Sequence, residues 1–369
     1  MLILFAAECF WVARRTPFTT DEQSHIWAGR QQIEAGAVPR SMRHSPLVNL
    51  AGAAPLRIDA NRVLRRDPSP EHIQNEVRRL RILTRIPFII FGLGLGVSLW
   101  YVSRRLYGNA GGYVALILFV LSPAIVLHSA RIGETIPAAW GLFGVVFVAI
   151  ALAHNLYAPW RKWRYRTVLL AVAMFIGVAS HPAIILAVIA ALFFPLYLAP
   201  GRRWVGVLLL VVAAAIAAAL VYASYNFVPR AMEYGVYLPD WFQYAPREAR
   251  VSLFGNSDVL LSRFSAAVQT LFVIALATFA AWKRTRYFGN TAPLLIFAMV
   301  LYVGLVTPLA LFASVWCLPF LFIFIGGIFA DLLETKYRPW ALAGLAVMLV
   351  EQAWFCFYLL SKSAERVIG

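Results

Sequence analysis

The chain has 369 residues, of which 61% are hydrophobic and only 14% are charged, and its mean hydropathy is +0.73. Soluble domains carry about 45–50% apolar and about 25% charged residues, so this composition excludes an ordinary soluble protein. The apolar residues form runs of about 20, long enough to cross a hydrocarbon core of about 30 Å, whereas a transmembrane barrel would need short segments of alternating polarity. The predicted fold class is an all-α integral membrane protein.

The net charge of +16 lies mainly in short loops between the apolar runs, where basic residues set orientation rather than bind nucleic acid. The three cysteines, Cys9, Cys317 and Cys356, stand far apart inside apolar runs and show neither metal-ligand spacing nor a disulfide framework. The sequence has no phosphate-binding glycine loop and no metalloprotease-type histidine pair. We predict no cofactor and no metal ligands, with a divalent metal left open.

The first two segments are a short apolar run and a long polar one. Met1–Ala13 lacks a basic start and a cleavage site, so we interpret it as a first helix rather than a signal peptide. Residues 14–84 are predicted to be the first outer loop. Within it, Asp21–Ala35 is predicted to form an amphipathic helix, and a second interfacial helix begins at Pro46 and runs to about Leu56.

The rest of the chain is a series of apolar runs within one predicted transmembrane domain, 1–369. With the first helix, they give about eleven predicted membrane spans. The runs lie near 85–103, 112–128, 135–154, 167–180, 182–199, 204–226, 260–281, 292–306, 309–330 and 339–360. A second long outer loop is predicted at 227–259, whose aromatic residues suit either an interfacial belt or a lid, and no soluble C-terminal domain is expected.

Basic residues occur in alternate loops, which predicts the orientation of the chain. The positive-inside rule places the 14–84 loop, the 129–134 turn and the 227–259 loop on the outer side, although Arg14 and Arg15 run against it. The predicted location is the bacterial cytoplasmic (inner) membrane, with the active site facing outward.

Asp21 and Glu22 are the leading candidates for chemistry. Their alternative role is to begin a helix, where acidic residues are favoured. A carboxylate at a lipid boundary can also act as a general base that takes a proton from an acceptor hydroxyl. His25 lies three and four residues further on, so it shares a helix face with them.

Four charged residues elsewhere are further candidates. Arg85 opens the second span, where a guanidinium can bind a phosphate or simply extend to the membrane surface. Its close rivals for this role are Arg78, Arg79 and Arg81. Arg131 and Glu134 lie in a short turn between two spans, predicted to face the same side as Asp21. Glu351 lies inside the last apolar run, where an acid is either functional or paired with a neighbour.

Six short motifs in chain order resemble those of the C-type (GT-C) membrane glycosyltransferases, which include protein O-mannosyltransferases and lipid A aminoarabinose transferases. The resemblance covers roughly residues 15–145. The similar segments are Asp21-Glu22 with His25, Gly36 with Pro39, His44-Ser45-Pro46-Leu47, Arg85 with Gly92, Arg104-Arg105-Leu106-Tyr107-Gly108, and Ser122-Pro123 with His128. Two departures are Glu134, which is out of register with the family's aspartate, and Val315–Pro319, which lacks the family's late arginine.

The resemblance implies a hexosyl- or pentosyltransferase that moves a sugar, with inversion, from a polyprenyl-phosphate donor to an extracytoplasmic lipid, glycan or protein. Asp21 would be the general base, and Glu22 would orient the acceptor or share its proton. Arg85, with Arg131, would bind the leaving phosphate. The remaining substrate-binding residues would be His25, His44 and Glu134.

Two alternatives remain at this point. One is a non-catalytic protein that binds or transports a lipid-linked glycan, although the spans carry few charges apart from Glu351. The other is a degenerate GT-C relative that binds the lipid-linked sugar without transferring it, which the missing late arginine favours.

Overall fold

The computed structural model describes residues 1–34, 36, 45–63, 70–227, 265–307 and 309–365, and within these ranges it contains helices and no β-strand. The all-α prediction is confirmed. In chain order the α-helices are α1 (Leu2–Arg15), α2 (Thr20–Glu34), α3 (Pro46–Val63), α4 (Pro70–Val120), α5 (Pro123–Ser129), α6 (Thr135–Asn155), α7 (Trp160–Ser180), α8 (Ile184–Ala190), α9 (Phe193–Leu198), α10 (Arg203–Ser224), α11 (Ala266–Ala281), α12 (Phe288–Val306), α13 (Ala310–Trp316), α14 (Leu318–Leu333) and α15 (Arg338–Glu365).

Membrane-spanning length and composition are found in seven helical segments of the described chain, which makes the protein an integral membrane protein. Shorter apolar helices occur at Pro46–Leu56, Ile184–Leu198 and Ala266–Ala281. The predicted count of about eleven spans is therefore not confirmed. One reason is that the predicted 182–199 span is broken into α8 and α9.

The described helices fall into two compact units within the predicted single domain, and that domain assignment stays a prediction. The first unit contains α1, the second part of α4 from Gly92, α5 and α11–α15. The second unit contains α2, α3, the first part of α4 to Phe91, and α6–α10. The predicted 227–259 loop lies outside the described residues except for Phe227.

In the first unit, α14 supplies the core, because its apolar side chains are buried from Leu318 to Ala330. The predicted loop between the second and third spans is a sharp kink inside α4. Gly108 makes this kink with a φ of 74°, a left-handed backbone that glycine adopts without a Cβ clash. Tyr107, next to it, donates a short hydrogen bond to the Gly289 carbonyl.

Glu351, the predicted intramembrane acid, accepts a hydrogen bond of 3.1 Å from the Ala267 N–H at the start of α11. The neighbouring Gln352 contacts Ser265, the residue that caps the same helix, and donates to the Leu121 carbonyl at 2.8 Å. The Glu351 carboxylate thus satisfies one of the N–H donors that every helix start leaves open. Glu351 therefore has a structural role in the first unit.

Glu8 is a second buried acid of the first unit, in α1, and its side chain gives a testable prediction. The residue is 5% exposed, and no described residue offers a hydrogen-bond partner to either carboxyl oxygen. A buried polar group without a partner costs about 1–3 kcal/mol. We expect Glu8→Leu to raise the thermal unfolding midpoint in detergent. As a matched control, Glu351→Leu should lower that midpoint, and a lower midpoint for Glu8→Leu would contradict the prediction.

Candidate functional site

The acidic pair begins α2 through a capping box, a reciprocal arrangement of two hydrogen bonds. Glu22 N–H donates to Thr19 Oγ1 at 3.2 Å, and Thr19 N–H donates to Glu22 Oε2 at 2.9 Å. The spacing Thr-x-x-Glu supplies these partners because Thr19 stands three residues before Glu22. The predicted helix at Asp21–Ala35 is thus confirmed as α2, and its first turn fixes the Glu22 side chain.

The same Glu22 carboxylate forms a buried ion pair with Arg85. Arg85 Nε donates to Oε1 and Arg85 Nη2 donates to Oε2, each at 2.7 Å, and the two side chains are 0% and 1% exposed. Arg85 Nη2 also donates to the Pro17 carbonyl at 2.8 Å, and Ile132 N–H donates to Glu22 Oε1 at 3.0 Å. We call Pro17, Thr19, Glu22, Arg85 and Ile132 the Glu22 junction.

The Glu22 junction joins three parts of the second unit: the start of α2, the first part of α4 and the turn before α6. A bidentate guanidinium–carboxylate pair is directional as well as strong, so it fixes these segments in one arrangement. The junction lies beside an apolar cluster in which Val48, Phe88 and Ile132 are buried. Glu22 is therefore a structural centre of the unit as well as a candidate for chemistry.

The charge of Glu22 is maintained by its partners. Burial raises the pKa of the Glu22 carboxyl, but the hydrogen bonds and charge of Arg85, with the N–H groups of Thr19 and Ile132, outweigh burial and leave the pKa below 4.5. Glu22 is therefore a carboxylate at neutral pH. It is a poor proton acceptor, because every one of these partners favours the charged form.

A pH dependence of stability follows from this lowered pKa. The folded protein gains stability from ionised Glu22 above the unfolded value of 4.5, and that gain is lost as the pH falls through the lower folded pKa. We expect the thermal midpoint to fall when the pH drops below about 4.5, and Glu22→Gln to flatten this fall. Glu34→Gln, on the exposed face of α2, should keep the wild-type profile. Identical profiles for wild type and Glu22→Gln would contradict the assignment.

Asp21 has the opposite environment. It is exposed, whereas Glu22 is buried, because successive residues of a helix point in directions about 100° apart. The pair thus separates into one carboxylate enclosed by the Glu22 junction and one that faces outward from the first turn of α2. Of the two, only Asp21 is exposed.

His25 is buried against α3 rather than exposed with Asp21. Its Nδ1 lies 2.7 Å from Asn49 Oδ1, and both residues are buried. The two helices touch closely there, since a Cβ on Gly29 would lie 2.0 Å from the Asn49 carbonyl oxygen. His25 therefore helps to hold α2 against α3, and its predicted substrate contact stays a prediction. The predicted contact from His44 lies outside the described residues.

The turn between α5 and α6 carries the two other predicted side chains. Arg131 is half-buried and adjoins Ile132, so it stands next to the Glu22 junction. Glu134 is buried at the last position before α6, with its Oε2 3.6 Å from His181 Nε2. Gly133 lies between them, and a Cβ added to it would meet no atom of the described residues within 4 Å.

Sequence reasoning missed Phe18 and Asn49 at this site. Phe18 lies under the Arg85 guanidinium, with its ring centroid 5.3 Å from Cζ, and Arg81 lies 6.0 Å from the same ring. The spacing of Arg81 and Arg85 by one helical turn was a usable signal for this arrangement. Asn49 was overlooked because a single polar residue in an apolar helix gives no indication of its partner.

The described residues contain no group of three or more His, Cys, Asp or Glu side chains that could hold a metal ion. The predicted absence of metal ligands stays a prediction.

Comparisons with known proteins bear on the fold. Protein-family models and curated proteins give no match. Among solved structures, the chain is similar to ArnT from Cupriavidus metallidurans bound to undecaprenyl phosphate, a GT-C aminoarabinose transferase, with a TM-score of 0.63 and 14% sequence identity. The chain has a GT-C-like membrane fold.

This GT-C-like fold accounts for nearly the whole chain, since the similarity covers 94% of it. The chain spans 62% of the ArnT chain. The likeness extends well past residue 145, where the sequence motifs end. The GT-C-like fold is confirmed, and the roles of individual residues remain to be argued from the Glu22 junction.

Proposed function

We propose that the protein is a glycosyltransferase of the bacterial cytoplasmic (inner) membrane that moves a sugar from a polyprenyl-phosphate donor to an acceptor on the outer side, with inversion. The Glu22 junction carries this proposal. Two segments that resemble GT-C motifs, around Asp21 and around Arg85, belong to one compact unit with the turn that contains Glu134, and all three meet at the Glu22 carboxylate. The GT-C-like fold and the undecaprenyl phosphate bound by ArnT support the same class of donor.

Asp21 is the proposed general base, because it is exposed while Glu22 is fully engaged. The acceptor hydroxyl gives its proton to Asp21 as its oxygen attacks the anomeric carbon. The bond between that carbon and the phosphate oxygen breaks on the opposite face, so the sugar is transferred with inversion. The proton remains on Asp21, and the negative charge departs with the polyprenyl phosphate.

Arg131 is the proposed cation for the leaving phosphate. Negative charge grows on that phosphate as the glycosidic bond breaks, so a fixed cation stabilises the transition state more than the ground state. Arg131 is half-buried. The N–H of the next residue, Ile132, donates to Glu22, and this bond fixes the backbone that carries the Arg131 side chain.

Glu22 and Arg85 are proposed to position the other groups. The Arg85 guanidinium already binds the Glu22 carboxylate with two hydrogen bonds and the Pro17 carbonyl with a third. Releasing it to a phosphate would leave a buried carboxylate without its cation, which is strongly unfavourable. We therefore propose that Arg85 acts through Glu22 and not as the main phosphate ligand.

Binding of the lipid carrier tests the donor class. Purified protein in nanodiscs would be titrated with undecaprenyl phosphate and with undecaprenol, and complexes counted by native mass spectrometry. We expect the phosphate to bind at least about tenfold more tightly, because a charge-assisted contact contributes about 1.5–3 kcal/mol. Arg131→Gln should remove most of this preference, whereas Arg30→Gln, in an exposed pair with Glu34, should keep it. Equal affinity for the two lipids would refute the donor class.

Turnover tests the reaction itself. Release of undecaprenyl phosphate would be followed from a panel of synthetic undecaprenyl-phosphate sugars, with extracted envelope lipids and proteins as acceptors. We expect release from at least one donor, dependent on an acceptor.

A second function, binding without transfer, is favoured by one observation. The segment that lacks the late arginine, Val315–Pro319, is buried and carries no charged side chain. Tight binding of undecaprenyl phosphate without release from any donor in the panel would establish this second function in place of the first.

A further inference from the structure

Helices α6 and α7 bring a carboxylate and an imidazole together at one end of the second unit. The two helices run antiparallel and touch closely, since a Cβ on Gly141 would lie 2.2 Å from the Gly177 Cα. Glu134 stands just before α6 and His181 just after α7, so the two residues lie side by side. His181 Nε2 is 3.6 Å from Glu134 Oε2, and the side chains are 6% and 8% exposed.

The backbone around His181 fixes which ring nitrogen faces Glu134. Ala183 N–H points at His181 Nδ1 at 3.3 Å, so Nδ1 is the acceptor. In a neutral imidazole the proton then lies on Nε2, the atom nearest to Glu134. The backbone that carries the ring is also held, because His181 N–H donates to the Gly177 carbonyl at 2.9 Å.

Glu134 faces His181 instead of serving its own helix. Residues at the start of a helix commonly turn a side-chain oxygen toward its first N–H groups. Glu134 occupies that position before α6, but its side chain makes no capping hydrogen bond. Its turn is held at one point by the bond from Ile132 N–H to Glu22 and at another by the contact with His181.

We infer that His181 is a positioning residue that orients the Glu134 carboxylate to accept hydrogen bonds from hydroxyl groups of the transferred sugar. This inference rests on the proposed function. A carboxylate repels a phosphate but accepts hydroxyl donors, so Glu134 suits the sugar part of the donor, while Arg131 suits the phosphate. His181 and Glu134 then act together, and loss of either one affects sugar recognition alone.

The test compares two ligands on one protein. Affinities for undecaprenyl phosphate and for the undecaprenyl-phosphate sugar that wild type turns over would be measured in nanodiscs, together with KM and kcat. We expect His181→Phe to weaken binding of the sugar conjugate about tenfold and to leave binding of undecaprenyl phosphate unchanged. His181→Gln, whose amide can donate at a similar reach, should restore most of the loss. His154→Phe, at the exposed far end of α6, is the control and should match wild type.

The outcomes separate this inference from the proposed function. If His181→Phe lowers the affinity for both ligands equally, the role of His181 is merely structural. That result would overturn the inference while the proposed function stands. An unchanged affinity of His181→Phe for the sugar conjugate would also overturn the inference alone. Failure of wild-type protein to bind undecaprenyl phosphate would overturn both.

A second variant keeps the inference testable if His181→Phe does not fold. Glu134→Gln preserves the side-chain shape and removes the carboxylate from the other side of the contact. We expect the same selective loss for the sugar conjugate. Unchanged sugar affinity in Glu134→Gln would overturn the inference.

Discussion

Asp21→Asn is expected to lower the rate of sugar transfer by about 10²–10⁴-fold, the range that a positioned general base contributes. The substitution removes the proton acceptor and keeps the size of the side chain. Asp21 is exposed at the start of α2, and the helix start is already satisfied by the Thr19–Glu22 capping box. Folding should therefore be unaffected, and the loss should fall on kcat while the affinity for undecaprenyl phosphate is retained.

Acceptor-dependent release of undecaprenyl phosphate provides the measurement, with the thermal midpoint recorded for every variant. Glu34→Gln is the matched control, since it neutralises another exposed acid on the same helix, paired with Arg30 at the surface. Its transfer rate should equal that of wild type. Unchanged transfer in Asp21→Asn would refute Asp21 as the base, and Glu22, enclosed by Arg85, would offer no ready substitute.

Arg85→Met is expected to cause the largest loss of stability, about 3–5 kcal/mol. The substitution leaves the Glu22 carboxylate buried without its cation, and it removes the donor to the Pro17 carbonyl. Because Glu22 also holds Ile132, the effect should reach the turn before α6. Unfolding in detergent would give the stability change, and protease sensitivity of the turn would show how far it spreads.

The double variant Glu22→Gln with Arg85→Met separates a missing contact from an unpaired charge. It removes both charges, and the amide oxygen can still accept from one of the two N–H groups, of Thr19 or Ile132, which donate to different oxygens of Glu22. We expect it to be more stable than Arg85→Met alone, since an unpaired buried charge costs more than a neutral pair of similar size. Arg30→Met, in an exposed pair, should change stability by no more than about 1 kcal/mol. Equal instability of the single and double variants would contradict this account.

The sequence predicted local features of this protein better than it predicted partners. α2 was predicted within about one residue at each end, because its polar and apolar residues follow a helical period. α3 begins at the predicted Pro46 but extends to Val63, beyond the predicted end near Leu56. Membrane character followed from composition alone. These features depend on neighbours in the chain, which a sequence displays directly.

Partners distant in the chain were not predictable in the same way. Arg85 was singled out for a phosphate, but its partner in the structure is Glu22, 63 residues earlier. The resemblance to GT-C motifs identified both residues without indicating that they bind each other. Glu8 was not noticed, because a single acid in a short apolar run does not indicate whether its side chain is buried. The Thr-x-x-Glu spacing was the one local signal that Glu22 is engaged.

The bond that holds the turn before α6 comes from a main-chain amide, and this affects how the protein can be redesigned. Any residue except proline at position 132 retains that N–H, although the buried surroundings of Ile132 restrict the choice to apolar side chains. Gly133 is free of both restrictions, because a Cβ there would meet no described atom within 4 Å. A mutant library that alters sugar selectivity should therefore diversify position 133 first and keep position 132 apolar.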